Sequence, residues 1–302
     1  MFTRISGDGV KVMRNEYRDL ERFSGVTGIP PDALILALEI ERAFHKDILE
    51  ETSFERRKEM YRKVYQTVHA VYGKARANIH KGPNPKDRIA NLFRKELEGK
   101  SVLDVGCGEG YFLSSVASRF IHGRLVGLDV SIPELSKHAQ IEFVSHDIIE
   151  FDMGEQFDVV FSDQVLEHIA PADLKTHLRS VRKALKDGGT FVILMPNRLF
   201  GPSDVSRIMD FSYSGETEAQ GTHLHESTYA EMTTTLEGHG FRNLKTVLPI
   251  LKRGLTLGSF RMDASILARV EKSPILMHML HHLRFREQCL LRLEVIIIAT
   301  AS

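Results

Sequence analysis

Residues 102–112, VLDVGCGEGYF, place three glycines between a short apolar run and the start of a helical pattern. Gly106, Gly108 and Gly110 alternate with single residues, which is typical of a tight turn whose backbone can approach a ligand closely. The helix that follows would present its unpaired N–H groups to that ligand. The segment therefore predicts a strand, a ligand-binding turn and a helix, an arrangement found at the carboxyl edge of parallel sheets.

Short β-rich runs alternate with helical patterns through the rest of the chain. The runs cover residues 101–105, 124–129, 141–145, 157–163 and 190–196. The helix before the last run is predicted to extend from Pro171 to about Lys186 and to be ended by Gly188 and Gly189. Strands that alternate with helices form βαβ units and a parallel sheet. Two later strands are predicted, at 241–249 and 293–300, with one or two helices between them.

An aspartate stands at or near the end of each of the first three strands. Asp104 lies two residues before Gly106, where its carboxylate can hold the turn and bind an ammonium group directly or through water. Asp129 ends the second strand, where a carboxylate can accept both hydroxyls of a ribose. Asp147 follows the third strand, where it can accept from the amine of an adenine ring, with Ile148 beside the ring. A nicotinamide dinucleotide would call for glycine at the position of Tyr111, so that alternative is disfavoured.

These residues resemble the class I S-adenosylmethionine-dependent methyltransferases, in particular the broad bacterial group that acts on small molecules, lipids and sugars. The resemblance runs from residue 85 to residue 302. It implies a Rossmann-like sheet of seven strands in the order 3-2-1-4-5-7-6, with the last strand antiparallel, and S-adenosylmethionine as cofactor. By the family pattern, Gly106 and Gly108 line the methionine part of the cofactor, Asp129 the ribose, Asp147 and Ile148 the adenine, and Asp163 and Gln164 the rim that faces the transferred methyl.

The first 84 residues form a helical extension that this core does not require. Two amphipathic helices are predicted there, and their apolar faces need a partner. We expect the extension, residues 1–84, to act as a lid over the acceptor or as a dimerisation device, and residues 85–302 to form the methyltransferase domain.

The acceptor is predicted to be a small molecule, most plausibly through a hydroxyl of a sugar, glycolipid or secondary metabolite. His223 and His225 stand just before a helix that begins with a capping-box pattern at Thr228 and Glu231. Because an imidazole can take up a proton near neutral pH, these two histidines are the candidate catalytic bases. Two alternatives stay open: methylation of nitrogen or carbon on a metabolite or lipid, and a catalytically silent protein that binds the cofactor and acts as an interaction module.

Composition excludes several partners and points to a reducing compartment. Forty basic and forty acidic residues cancel, and the fourth strand ends in SDQV without the Pro-Pro-aromatic motif that holds a flipped base, so a nucleic-acid substrate is not expected. No metal site is predicted, because the three histidines between 278 and 282 lack further ligands at suitable spacing. The two cysteines and the lack of long apolar runs predict a cytoplasmic protein. Lipid contact through residues 273–293 and a homodimer remain as minor alternatives.

Overall fold

The computed structural model describes residues 16–76, 83–131, 139–247, 260–285, 288–289 and 292–302. The chain divides into two compact units. One comprises residues 1–81 and 198–224, and the other comprises 82–197 and 225–302. The segment 198–224, which the sequence assigns to the C-terminal domain, thus groups with the N-terminal helices.

Among its described residues, the first unit contains three α-helices. They are α1 (Leu20–Thr27), α2 (Pro31–Glu50) and α3 (Phe54–Arg76). Gly28 ends α1 in the left-handed conformation, and Pro31 occupies the first turn of α2, where its missing N–H costs no hydrogen bond. The buried face of α2 includes Leu34 and Leu38, which pack in one apolar cluster with Val205 and Ile208 of the inserted segment.

The described part of the chain contains ten strands, and eight of them form the main sheet of the second unit. In chain order the strands are β1 (Val102–Val105), β2 (Leu125–Asp129), β3 (Ile141–Ser145), β4 (Phe157–Asp163), β5 (Leu185–Met195), β6 (Phe241–Thr246), β7 (Met262–Asp263), β8 (Arg284–Phe285), β9 (Gln288–Cys289) and β10 (Val295–Ala301). The sheet order is β3-β2-β1-β4-β5-β10-β6-β7, and β8 pairs with β9 separately.

The predicted topology is confirmed. The first five strands are parallel, and β10 runs antiparallel between β5 and β6, the place expected of the final strand. The difference is the two-residue edge strand β7, which pairs with β6 and brings the count to eight. Residues 248 and 249 of the predicted 241–249 strand lie outside the described part of the chain.

Helices cover the sheet, and one predicted helix end is wrong. The helices are α4 (Asp87–Leu92), α5 (Arg94–Leu97), α6 (Tyr111–Arg119), α7 (Pro171–Ala184), α8 (Tyr229–Glu237), α9 (Ala264–Glu271) and α10 (Pro274–His282). Helix α7 ends at Ala184, and Gly188 and Gly189 belong to β5 instead of terminating a helix. Gly188 has φ +73°, and the β4–β5 register shifts near the start of the pairing, so the glycines accommodate an irregular strand.

The core of the second unit lies between the sheet and its helices. Phe112 of α6 stacks on Phe161 of β4 with ring centroids 3.7 Å apart, and Phe93 meets the same ring edge-on.

Within the described residues, no single helix is both long and apolar enough to cross a bilayer, and only α1 and α2 taken together, bent by 104°, pass that test. Helix α10 exposes Ile275 and Met279. Lipid contact there stays a prediction.

Candidate functional site

The glycine turn follows β1 as predicted and is open at one position. Gly106, Gly108 and Gly110 all have positive φ, at +77°, +50° and +74°. A Cβ at Gly106 would overlap the side chain of Val165, and one at Gly110 would lie 2.6 Å from the Phe143 ring. A Cβ at Gly108 would meet nothing within 4 Å. The turn is therefore packed at both ends and presents bare backbone to open space in the middle.

Asp129 connects the second strand to this turn. Its Oδ2 accepts a hydrogen bond from the Gly108 backbone N–H at 2.9 Å, and its Oδ1 accepts from the Ser131 N–H at 3.1 Å. The parallel pairing of β1 with β2 brings the two strand ends side by side, which is why residues 21 positions apart can meet. Two predicted site residues are thus in direct contact.

Asp104 is buried in β1, with 3% of its surface exposed. Burial raises the pKa of Asp104 well above its usual range, the nearby carboxylate of Asp163 raises it further, Lys86 lowers it, and Asp129 adds to the increase. The site therefore gathers several carboxylates around one buried position. Such a site favours a cationic ligand, because a positive group would relieve the repulsion among the carboxylates.

Lys86 is a member of the site that the sequence analysis missed. Its Nζ lies 2.5 Å from Oδ2 of Asp163 at the end of β4. Lys86 is held by Asn84, whose Oδ1 accepts from the Lys86 backbone N–H at 2.8 Å and whose Nδ2 donates to the Tyr111 carbonyl at 2.8 Å. No periodicity marks this lysine, so only the fold reveals its partner.

Gln164, predicted to lie on the methyl-facing rim, has a strained backbone. Its φ is +61°, and it is a non-glycine residue in the left-handed region. A hydrogen bond from its backbone N–H to the Leu194 carbonyl, 2.8 Å long, holds the conformation. The side chain is exposed at the carboxyl end of β4. Strain of this kind concentrates where a site has to fix a backbone direction.

The turn after β3 carries Asp147 and Ile148, the predicted adenine residues. Oδ1 of Asp147 accepts from the Ile149 N–H at 2.8 Å, and the backbone N–H of His146 donates to the Asp129 carbonyl at 3.0 Å. The second contact places this turn beside the end of β2. The residues predicted to bind the cofactor at the ends of the first three strands therefore share one edge of the sheet.

His177 of α7 fixes this turn and was also missed from the sequence. Its Nδ1 lies 2.7 Å from the Ile148 carbonyl, and Ser180 Oγ accepts from the Phe151 N–H at 3.1 Å. His177 is fully buried, and burial lowers its pKa to about 4, so the ring is neutral and its Nδ1–H donates. A sequence signal existed, because Asp173, His177 and Ser180 are polar residues on the buried face of an amphipathic helix.

Of the two candidate bases, His223 belongs to the first unit and is buried, and His225 belongs to the second unit and is half-buried. The backbone N–H of His225 donates to the Glu167 carbonyl at 3.0 Å. The capping box predicted after them is present, since Thr228 and Glu231 exchange both hydrogen bonds at the start of α8.

Cys107 is a free thiol, and burial raises its pKa. A raised pKa keeps the thiol protonated, which suits a packing role and disfavours a role as a nucleophile.

The residues present fit S-adenosylmethionine. The open backbone at Gly108 leaves room that a Cβ would fill, and the acidic surroundings suit the positive sulfur and ammonium groups of that cofactor. Asp129 ends β2, where the ribose is predicted to bind, and Asp147 lies two residues after the end of β3.

Comparison with known proteins gives the same assignment. The methyltransferase domain family matches residues 77–246, more than half of the chain. The "Probable S-adenosylmethionine-dependent methyltransferase" of Mycolicibacterium smegmatis is 29% identical over 182 residues, covering 58% of this chain and 65% of its own. A ubiquinone biosynthesis O-methyltransferase of Rhizobium leguminosarum is 30% identical over 143 residues, covering 44% of this chain and 53% of its own. The chain thus spans between half and two thirds of the length of these relatives.

A solved structure shares the fold. It is the 1,6-didemethyltoxoflavin-N1-methyltransferase of Burkholderia thailandensis, determined with 1,6-didemethyltoxoflavin and S-adenosylhomocysteine bound. The TM-score is 0.50 at 15% identity, over 81% of this chain and 89% of that one. Sequence pattern, sheet order and family match agree, and this chain belongs to the class I S-adenosylmethionine-dependent methyltransferases.

Proposed function

We propose that this protein transfers a methyl group from S-adenosylmethionine to a hydroxyl oxygen of a small molecule. The observation that carries the proposal is the contact between Gly108 and Asp129, which places a carboxylate beside an open stretch of glycine backbone. When bound, S-adenosylmethionine supplies a methyl group on a positively charged sulfur, which leaves as a neutral thioether.

The cofactor residues act by binding and alignment. Asp129 would accept hydrogen bonds from the ribose hydroxyls, the Asp147–Ile148 turn would receive the adenine, and Asp104 with Asp163 would stabilise the positive end of the cofactor. Because the transfer is an in-line displacement, holding the methyl carbon and the acceptor atom in line supplies a large part of the rate enhancement.

The acceptor side needs a group that removes the hydroxyl proton. An imidazole nitrogen of His223 or His225 would take this proton from the acceptor hydroxyl during the transfer. Oxygen is favoured as the acceptor atom by the R. leguminosarum relative, an O-methyltransferase by name that is 30% identical to this chain over 143 residues. An amine acceptor would depend less on a base, so the two chemistries make different predictions.

The test measures turnover of methyl-labelled S-adenosylmethionine against a metabolite extract. The variants to test are His223→Asn, His225→Asn and the double variant. The control is His122→Asn, because His122 is remote in sequence and its ring nitrogen Nδ1 lies against the carbonyl oxygen of the neighbouring Gly123. We expect one or both site variants to lose about 10²- to 10⁴-fold in turnover. Affinity for S-adenosylhomocysteine, measured by calorimetry, should stay at the wild-type value.

Other outcomes point to the alternatives. Full turnover in the double variant would indicate alignment alone, as for a nitrogen acceptor, or another base. A wild-type protein that binds S-adenosylhomocysteine but labels nothing in the extract would favour a silent binding protein.

A further inference from the structure

We infer that Glu41 and His45 of α2, together with Asp204, are positioning residues for the segment that carries His223. The inference deepens the proposed function and rests on it, because it assigns these residues a role through the proposed base. All of them belong to the first compact unit. The N-terminal helices would thereby take part in catalysis in addition to packing.

Three side chains converge on Gly221 and Thr222, directly before His223. Oε2 of Glu41 accepts from the Thr222 backbone N–H at 2.9 Å, and Oδ2 of Asp204 accepts from the Gly221 N–H at 2.8 Å. His45 Nδ1 lies 2.9 Å from the Gly221 carbonyl oxygen. Since a carbonyl can only accept, the proton is on Nδ1 and His45 is the donor. Two consecutive N–H groups and the carbonyl between them are thus held by side chains.

The fit at Gly221 is too close for any side chain. A Cβ there would lie 2.5 Å from Oε2 of Glu41 and 2.6 Å from Oδ2 of Asp204. Both carboxylates are buried, with 2% and 8% of the residue surface exposed. Glycine at this position therefore lets two buried carboxylates approach the same backbone segment.

The helix that carries Glu41 and His45 is held in place by its buried apolar face. Glu41 and His45 are one helical turn apart and project from the same side of α2. On the same helix Leu34 and Leu38 are fully buried in the cluster that includes Val205, next to Asp204. Burial of this kind restricts side-chain and backbone movement, and a base has to be held within a fraction of an ångström to act efficiently.

The experiment is a set of variants in the full-length protein. Glu41→Ala removes the acceptor for the Thr222 N–H, Glu41→Gln keeps an oxygen at that position, and Glu39→Ala is the matched control, an exposed glutamate on the same helix. Turnover is measured with labelled S-adenosylmethionine and the metabolite extract. We expect Glu41→Ala to lower kcat by up to about 10²-fold with unchanged affinity for S-adenosylhomocysteine, Glu41→Gln to lose much less, and Glu39→Ala to match wild type.

A double-variant comparison separates positioning from general destabilisation. If Glu41 acts through His223, then Glu41→Ala should cause no further loss of kcat in a protein that already carries His223→Asn. An equal loss in both backgrounds would overturn the inference. Wild-type kcat in Glu41→Ala, with a large loss in His223→Asn, would refute the positioning role and leave the proposed function standing. Full turnover in His223→Asn would refute the base assignment and this inference together.

A second readout needs no acceptor. In protein with ¹³C-labelled histidine, the ring signal of His223 is assigned by its disappearance in His223→Asn. Glu41→Ala should shift or broaden that signal, and Glu39→Ala should leave it in place. An unchanged His223 signal in folded Glu41→Ala would contradict the inference.

Discussion

Oδ2 of Asp129 lies 2.9 Å from the backbone nitrogen of Gly108 and accepts its hydrogen bond. The carboxylate assigned to the ribose therefore also orders the glycine turn. We therefore expect a substitution of Asp129 to change both the predicted ribose acceptor and the shape of the turn. This coupling guides the first prediction.

Asp129→Ala should weaken S-adenosylmethionine binding by at least 1.5 to 3 kcal/mol, roughly 10- to 100-fold, the usual contribution of a hydrogen bond to a charged group. Asp129→Asn should lose less, because an amide oxygen can still accept from the Gly108 N–H. Calorimetry on folded variants gives the affinities, and Asp187→Ala, at an exposed aspartate in β5, is the control. Unchanged affinity in Asp129→Ala would exclude the ribose role.

Gly108→Val should abolish cofactor binding while the protein still folds. The new side chain would meet open space in the free protein, and that space is where the cofactor is proposed to bind. Gly154→Val is a matched control, because Gly154 also has positive φ, at +66°, and nothing near its Cβ position. Both variants should lose similar thermal stability from backbone strain, and only Gly108→Val should lose binding. Equal binding in the two would place the cofactor elsewhere.

Asp104→Asn should stabilise the free protein at neutral pH. Because the pKa of Asp104 is raised in the folded state, the folded protein holds a proton that the unfolded chain releases near pH 3.9, and stability falls as pH rises above that value. Asparagine removes this pH dependence. The melting temperature of the variant relative to wild type should therefore be higher at pH 7 than at pH 4. If the difference in melting temperature between variant and wild type does not change with pH, the pKa of Asp104 is not raised in the folded protein.

His177→Phe should loosen the turn that holds Asp147 and Ile148. The variant loses the 2.7 Å hydrogen bond to the Ile148 carbonyl, and we expect a loss of about 1 to 3 kcal/mol in stability at pH 7 and weaker binding of S-adenosylhomocysteine. The control is His239→Phe, a helix-end histidine of α8 outside the site, whose ring contacts the Thr235 carbonyl. Wild-type cofactor affinity in His177→Phe would contradict a positioning role for this histidine.

The lowered pKa of His177 predicts that the folded protein loses stability in acid. Because the pKa of His177 falls from about 6.5 in an unfolded chain to about 4 in the folded protein, its contribution to stability is complete above pH 6.5 and is lost as pH falls towards 4. The loss amounts to roughly 3 kcal/mol. The advantage of wild type over His177→Phe in the free energy of unfolding, measured with denaturant, should therefore shrink by about this amount between pH 7 and pH 4.

The sequence alone was enough to predict the strands of the sheet, the family and the cofactor class, and the roles of the individual cofactor residues remain predictions. Strand and helix patterns are local and can be read from the sequence, whereas the order of the strands was implied by the resemblance to the methyltransferase family. The ends of β1 and β2 fix the positions of Gly106, Gly108 and Asp129, so the roles of these residues could be predicted from the sequence. The end of α7 and the start of β5 were misplaced, because two glycines that commonly stop a helix are equally suited to an irregular strand.

Only the tertiary structure decided which distant residues meet. The Lys86 contact with Asp163 spans 77 positions, and the His45 contact with Gly221 spans 176. Neither leaves a periodic pattern, because each depends on the path of the whole chain. The grouping of residues 198–224 with the N-terminal helices has the same origin, since apolar side chains such as Val205 and Ile208 pack equally well against any matching surface. The physical reason is that hydrophobic burial is not directional, so the chain's composition requires a partner surface while the folded geometry selects it.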